Sequence, residues 1–164
     1  MRINSHKNQQ KRGKGMPYSK LRKGRTSNPE QIYFITTVVK NRKRIFEDFR
    51  CARSLIKIAK ELHHSKDVSS IAWVVMPDHF HWLFSLGHRK TLPEVMKALK
   101  AISAQRINAL KASRGPVWQK SYYDHAIRSD EDIKRIARYI VANPLRAGLA
   151  SEIGNYPHWD TSYL

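Results

Sequence analysis

The sequence predicts an α+β fold, an antiparallel sheet with helices over one face, on three observations. Segments of strand-like alternation interleave with segments of helical period in the order β-α-β-β-α-β-α. Two of the strand segments are separated only by Pro77-Asp78, which reads as the turn of a hairpin. Apolar residues make up 41% of the 164, enough for a core and most simply for one domain.

Each element has its own warrant. Gln31–Val39 is dense in β-branched and aromatic residues and forms the first strand. From Glu47 to Leu62, apolar residues at Ala52, Leu55, Ile56, Ala59 and Leu62 follow helical spacing. Val68–Met76 and His79–Leu86 are the two hairpin strands. Pro93 opens a helix to about Ala112, with Met96, Leu99, Ile102, Ile107 and Leu110 inward. Gly115-Pro116 breaks it, and a fourth strand is expected around Tyr123–Ile127. A last helix runs from about Asp130 to Ala142, with Ser129 and Asp132 as its capping pair. Ile133, Ile136, Ala137, Ile140 and Val141 give it a complete apolar stripe, and Pro144 and Gly148 stop it. This order is that of a ferredoxin-like sheet.

The chain carries 31 Lys and Arg against 13 Asp and Glu, a net charge of +18. Such an excess resists compaction unless an anionic partner is expected, and nucleic acid is the usual one. No amphipathic basic helix or lipidation signal points to a membrane instead. Half of the excess sits in residues 1–25, which hold nine basic residues and no acidic one. We read 1–25 as a basic, largely flexible arm and 26–164 as a single domain. Within the arm, Arg22, Lys23 and Arg25 are candidate phosphate contacts, since cations position nucleic acid rather than read it. Cys51 is the one cysteine, which excludes an internal disulfide and a cysteine-based zinc site and fits a reducing cytosol. No signal peptide or membrane-spanning run is visible.

The chemistry is concentrated in Trp73-Val-Val-Met-Pro-Asp-His-Phe-His-Trp-Leu-Phe84. On a strand, His79 and His81 face one side, and Phe80, Trp82 and Phe84 the other. Two adjacent imidazoles can grip one metal ion, and a metal ion can polarise a phosphate. On the last helix Tyr139 lies about 120° from the centre of the apolar stripe, at 100° per residue. Asn143 follows one turn later on the same side. Imidazoles, amide oxygen and phenol could therefore converge at the sheet. A phenol beside a metal-polarised phosphate is what phosphodiester transesterification needs: a phosphotyrosine replaces the broken ester, so the step is reversible without ATP.

His79-Phe80-His81, together with Tyr139-Ile-Val-Ala-Asn143-Pro144-Leu-Arg146-Ala-Gly148-Leu149, resembles the HUH motif and tyrosine helix of the Y1 single-tyrosine transposases. The nearer likeness is to the REP-associated tyrosine transposases. Ala72-Trp-Val-Val-Met-Pro-Asp-His79, Val117-Trp118-Gln119, Tyr123-Asp124-His125 and Tyr156-Pro157-His158-Trp159 are similar to that group as well. The resemblance spans about residues 17–164. It implies an HUH fold, Tyr139 as nucleophile forming a 5′-phosphotyrosine, and His79 and His81 as metal ligands with Asn143 as the third. The implied metal is Mg2+ or Mn2+, although imidazoles by themselves suit softer ions. The implied substrate is single-stranded DNA bearing a hairpin, handled by a monomer or a homodimer in the bacterial cytoplasm, at the nucleoid.

Other readings compete with these. The chain could be a non-catalytic basic nucleic-acid-binding module on the same scaffold, or a metal-dependent nuclease in which water attacks. Asn143 before Pro144 also fits a plain helix-terminal residue. Tyr122 and Tyr123 are rival nucleophiles, better placed for packing or base stacking. His63-His64 suits the end of a helix, His125 either lines the site or is half-buried structure, and Trp118 and Trp159 pack or stack bases.

Overall fold

In the computed structural model, which describes residues 27–128 and 131–163, five strands form one antiparallel sheet in the order β4-β1-β3-β2-β5. The elements are β1 (Ile32–Val38), α1 (Phe49–His64), β2 (Val68–Met76), β3 (His79–Leu86) and α2 (Leu92–Leu110). They are followed by β4 (Tyr123–Ala126), α3 (Ile133–Val141), a short α4 (Asn143–Arg146) and β5 (Trp159–Thr161). The expected β-α-β-β-α-β-α order is present, and its first four strands take the ferredoxin-like arrangement. The hairpin strand β3 is inserted between β1 and β2, so α1 makes the crossover that a split βαβ unit requires. The basic segment 1–25, with Arg22, Lys23 and Arg25, and the capping candidate Ser129 lie outside the described residues.

Helix starts follow local chemistry. Asp48 caps α1 by accepting from the Arg50 amide, and Thr91 with Glu94 forms a capping box on α2 ahead of Pro93. Asp132 is itself the cap of α3, its carboxylate accepting from Arg135 N at 3.0 Å.

One expectation is corrected. Helices were predicted over a single face, and α1 and α2 do share one, closing over Phe80, Trp82 and Phe84, all fully buried. But α3 lies on the opposite face, where Ala137 and Ile140 pack with Ala72, Val74, Met76 and Leu83. The reason is the apolar content of β2 and β3: their residues are hydrophobic on both sides for much of their length, so both faces need cover. β5, a short edge strand on β2, was not foreseen. Trp118 and Trp159 pack: Trp118 is 6% exposed and donates to Ser103 Oγ, and Trp159 donates to the Ile153 carbonyl.

Candidate functional site

His79 and His81 stand on the α3 face of β3, half-buried, with their Nε2 atoms 3.1 Å apart. The strand alternation puts them there, since Phe80 and Trp82 are drawn into the opposite core. Each ring is held from behind. Asp78 Oδ1 lies 2.6 Å from His79 Nδ1, and Thr36 Oγ1 lies 2.8 Å from His81 Nδ1 across the β1–β3 pairing, in which Thr36 opposes His81.

These contacts decide the proton positions. An ionised carboxylate only accepts, so His79 carries its proton on Nδ1 and turns the Nε2 lone pair toward His81. Burial works against the charge on Asp78, but its bonds to His79 and Arg42 prevail and hold its carboxyl below the usual range. Thr36 can either donate or accept, so it serves both tautomers of His81. When His81 Nδ1 donates to Thr36, both Nε2 atoms carry lone pairs 3.1 Å apart, an arrangement that a shared cation satisfies. Nitrogen ligands about 2.0–2.1 Å from a shared ion can be up to ~4 Å apart, so the 3.1 Å separation fits one ion. Burial first, then the electrostatic influence of the neighbouring His79 and Arg146, push the His81 pKa down to about 3 against the pull of Asp78. The ring is therefore neutral at ordinary pH, as a ligand must be.

Among the described residues, no group of three or more His, Cys, Asp or Glu is placed to hold a metal. Any further protein ligand would have to come from another residue type. Asn143 stands at the α3–α4 junction, where Pro144 has no N–H to offer the Ile140 carbonyl. Asn143 Nδ2 donates there instead, at 2.9 Å, and to the Tyr139 carbonyl at 3.1 Å. The helix-terminal reading is thus realised, and it employs the nitrogen. The amide oxygen is left over for a ligand.

Tyr139 projects from α3 at 50% exposure, with the guanidinium carbon of Arg146 at 3.8 Å from its ring centroid. α3 packs against β2 and β3 of its own chain, so the tyrosine helix and the histidines share a sheet face. Beside them, Phe34 lies 5.5 Å from the His81 ring and 6.4 Å from that of Tyr123, which is 43% exposed. Tyr122 packs against the other core. His125 pairs with Glu131 at 2.9 Å, and His63 Nδ1 accepts from Ser70 N at the end of α1. Sequence reasoning missed Thr36, Asp78 and Arg146 as members of the site. A carboxylate next to the first histidine in a tight turn was a readable sign for Asp78.

The sequence matches the family described as transposase, IS200-like, over residues 28–143, a span holding both histidines, Tyr139 and Asn143. A REP-associated tyrosine transposase of Escherichia coli (strain K12) is 26% identical over 132 residues, 76% of this chain and 73% of the relative. The ISDra2 transposase TnpA of Deinococcus radiodurans is 29% identical over 126 residues, 73% of this chain and 89% of that protein. Among solved structures, a REP-associated tyrosine transposase bound to a REP hairpin matches with a TM-score of 0.65 at 22% identity. That match covers 82% of this chain and 79% of the other. At that identity the likeness is one of fold.

Proposed function

The chain belongs to the IS200-like transposase family, and on that premise we propose that it is a metal-dependent, single-tyrosine transesterase that cleaves and rejoins hairpin-bearing single-stranded DNA. The observation that carries this reading is the pair of imidazole Nε2 atoms 3.1 Å apart, backed by Asp78 and Thr36, on the sheet face where α3 docks. A REP hairpin is the ligand of the solved relative, and a DNA hairpin of that kind is the substrate we assign here.

His79 and His81 through Nε2, and Asn143 through its amide oxygen, would hold the cation, Mg2+ or Mn2+. When bound, it supplies positive charge to the non-bridging oxygens of the scissile phosphate. Tyr139 is the nucleophile. Its phenol oxygen bonds to phosphorus and gives up its proton, the bond from phosphorus to the 3′ oxygen breaks, and that oxygen takes up a proton. The products are a 5′-phosphotyrosine and a 3′-hydroxyl, and attack by a 3′-hydroxyl reverses the step with no external energy. Asp78 and Thr36 orient the imidazoles, as outer-shell partners of metal-bound histidines do. Arg22, Lys23 and Arg25 are assigned to phosphate contacts that hold the DNA. No helix among the described residues is long and apolar enough to cross a membrane. We place the activity at the nucleoid in the cytoplasm, where DNA is the anion a +18 chain meets.

The test is incubation of end-labelled hairpin single-stranded DNA with Mn2+ and either the wild type or Tyr139→Phe, resolved on a denaturing gel. The wild type should give a protein–DNA adduct that the variant cannot form. Undiminished cleavage by Tyr139→Phe, without adduct, would mean that water attacks and would sink the tyrosine mechanism.

A further inference from the structure

We propose that Arg146 is a catalytic residue in this reaction: it stacks on the Tyr139 ring and receives the phosphoryl group as that group joins the phenol oxygen. The inference rests on the reading of Tyr139 as nucleophile and adds to it a second group of the same helix–turn segment.

The supporting geometry is a direct stack. The Arg146 guanidinium carbon lies 3.8 Å from the centroid of the Tyr139 ring, well inside the ~6 Å over which cations are drawn to aromatic faces. Both side chains are exposed, so the contact is not forced on them by burial. Several arginines of the domain are matched by acids: Arg42 with Asp78, Arg44 with Glu47, Arg106 with Glu61. Among the described residues no carboxylate pairs with Arg146. Its planar fork of N–H donors is therefore unspent, and that fork is the shape that binds phosphate oxygens two at a time.

The backbone is arranged to hold this contact. Seven residues apart on an unbroken helix, the two positions would be separated by about 10 Å along the axis. The helix is interrupted at Ala142, where ψ is −2°, and resumes as α4 through Pro144, which is buried. Gly148, at φ +67°, closes the turn after α4 in the left-handed conformation that glycine adopts without cost. α4 packs against β2, whose Val74 pairs with His81, so ring, guanidinium and imidazoles belong to one side of the sheet.

The chemistry needs a cation at this place. As the phenol oxygen bonds to phosphorus, negative charge builds on the phosphoryl oxygens before the 3′ oxygen departs with its electron pair and gains a proton. A phosphoryl group on the phenol oxygen lies at the edge of the ring, within reach of a guanidinium seated above its centre. The same contact serves the return step, because both directions pass through one transition state. A fixed charge aimed at where charge develops is worth more than one brought up by diffusion.

The experiment measures single-turnover adduct formation on labelled hairpin DNA with Mn2+, over a range of protein concentration, for wild type, Arg146→Ala, Arg146→Lys and Tyr139→Phe. Arg146→Ala should lose about a hundredfold in maximal rate with the half-saturating concentration and melting temperature unchanged. Added guanidinium ion should restore part of that rate, and Arg146→Lys should fall between the two. Wild-type rates in Arg146→Ala overturn the proposal, as does a loss confined to the half-saturating concentration, which would make Arg146 a DNA-binding cation only. A fall in rate accompanied by a lowered melting temperature and no guanidinium rescue marks a structural role and overturns it too. If the wild type itself forms no adduct while Tyr139→Phe cleaves, the nucleophile reading has failed, an outcome distinct from the rest.

Discussion

Thr36 and Asp78 touch only the far nitrogen of each imidazole, and through it they govern the near one. Asp78 leaves His79 no choice of tautomer, while Thr36 lets His81 switch as its Nε2 lone pair is called upon. Asp78→Asn replaces a pure acceptor by a group that can also donate, and so admits the tautomer with no lone pair at Nε2. Thr36→Val leaves His81 Nδ1 without its partner. Each variant should bind Mn2+ about ten- to a hundredfold more weakly than wild type, read from the free Mn2+ signal in an electron paramagnetic resonance titration of full-length protein without DNA. Wild-type affinity in both would dissociate these residues from any cation at the histidines. The two were not equally readable beforehand. Asp78 is a sequence neighbour of His79, whereas Thr36 is 45 positions from His81 and meets it only through the register of β1 on β3. Hairpin register is local and follows from the turn, but β1 reaches β3 through a helical crossover, and no sequence pattern dates that pairing to the residue.

At the scale of elements, α3 is nine residues long, and a helix of that length is marginal by itself. Its apolar stripe and its cap are what keep Tyr139 on the sheet. Asp132 satisfies the Arg135 amide, one of the orphan donors of the first turn. Asp132→Ala should cost about 1 kcal/mol, a fall of roughly 2–4 °C in melting temperature for a domain of this size. Asp132→Asn, which also caps, should restore most of it, and an unaltered melting temperature in the alanine variant would show the cap to be idle. The stripe at Ile133, Ile136, Ala137 and Ile140 was plain from spacing, as were the strands at Val68–Met76 and His79–Leu86. The face was not. Periodicity says that a helix has an apolar side, but the choice between two apolar sheet faces is made by which face α1 and α2 have already filled. β5 escaped for another reason: with three residues it has no period to detect, and it exists by pairing with the edge of β2.

For the whole molecule the governing quantity is charge. A chain with a net charge of +18 repels itself, and binding a polyanion relieves that repulsion while releasing counterions from the DNA. Composition made the partner class legible, but not the division of labour between the basic segment at residues 1–25 and the surface of the domain. That division is measurable. The logarithm of the binding constant should fall linearly with the logarithm of salt concentration, with a slope of about −0.9 per phosphate neutralised. Replacing the nine Lys and Arg of residues 1–25 by Gln in the full-length chain should flatten that slope by several units in a fluorescence-anisotropy titration of hairpin DNA. Cleavage per bound complex should be unchanged at low salt, because His79, His81, Tyr139 and Arg146 are not among the residues replaced. A slope that does not move would transfer the neutralising contacts to the exposed basic rows of the domain, such as Arg50, Arg53, Lys57 and Lys60 along α1. A flattened slope with slower cleavage per complex would instead mean that the basic segment also fixes the register of the DNA at the site, since contacts to phosphate position a strand even where they read no base.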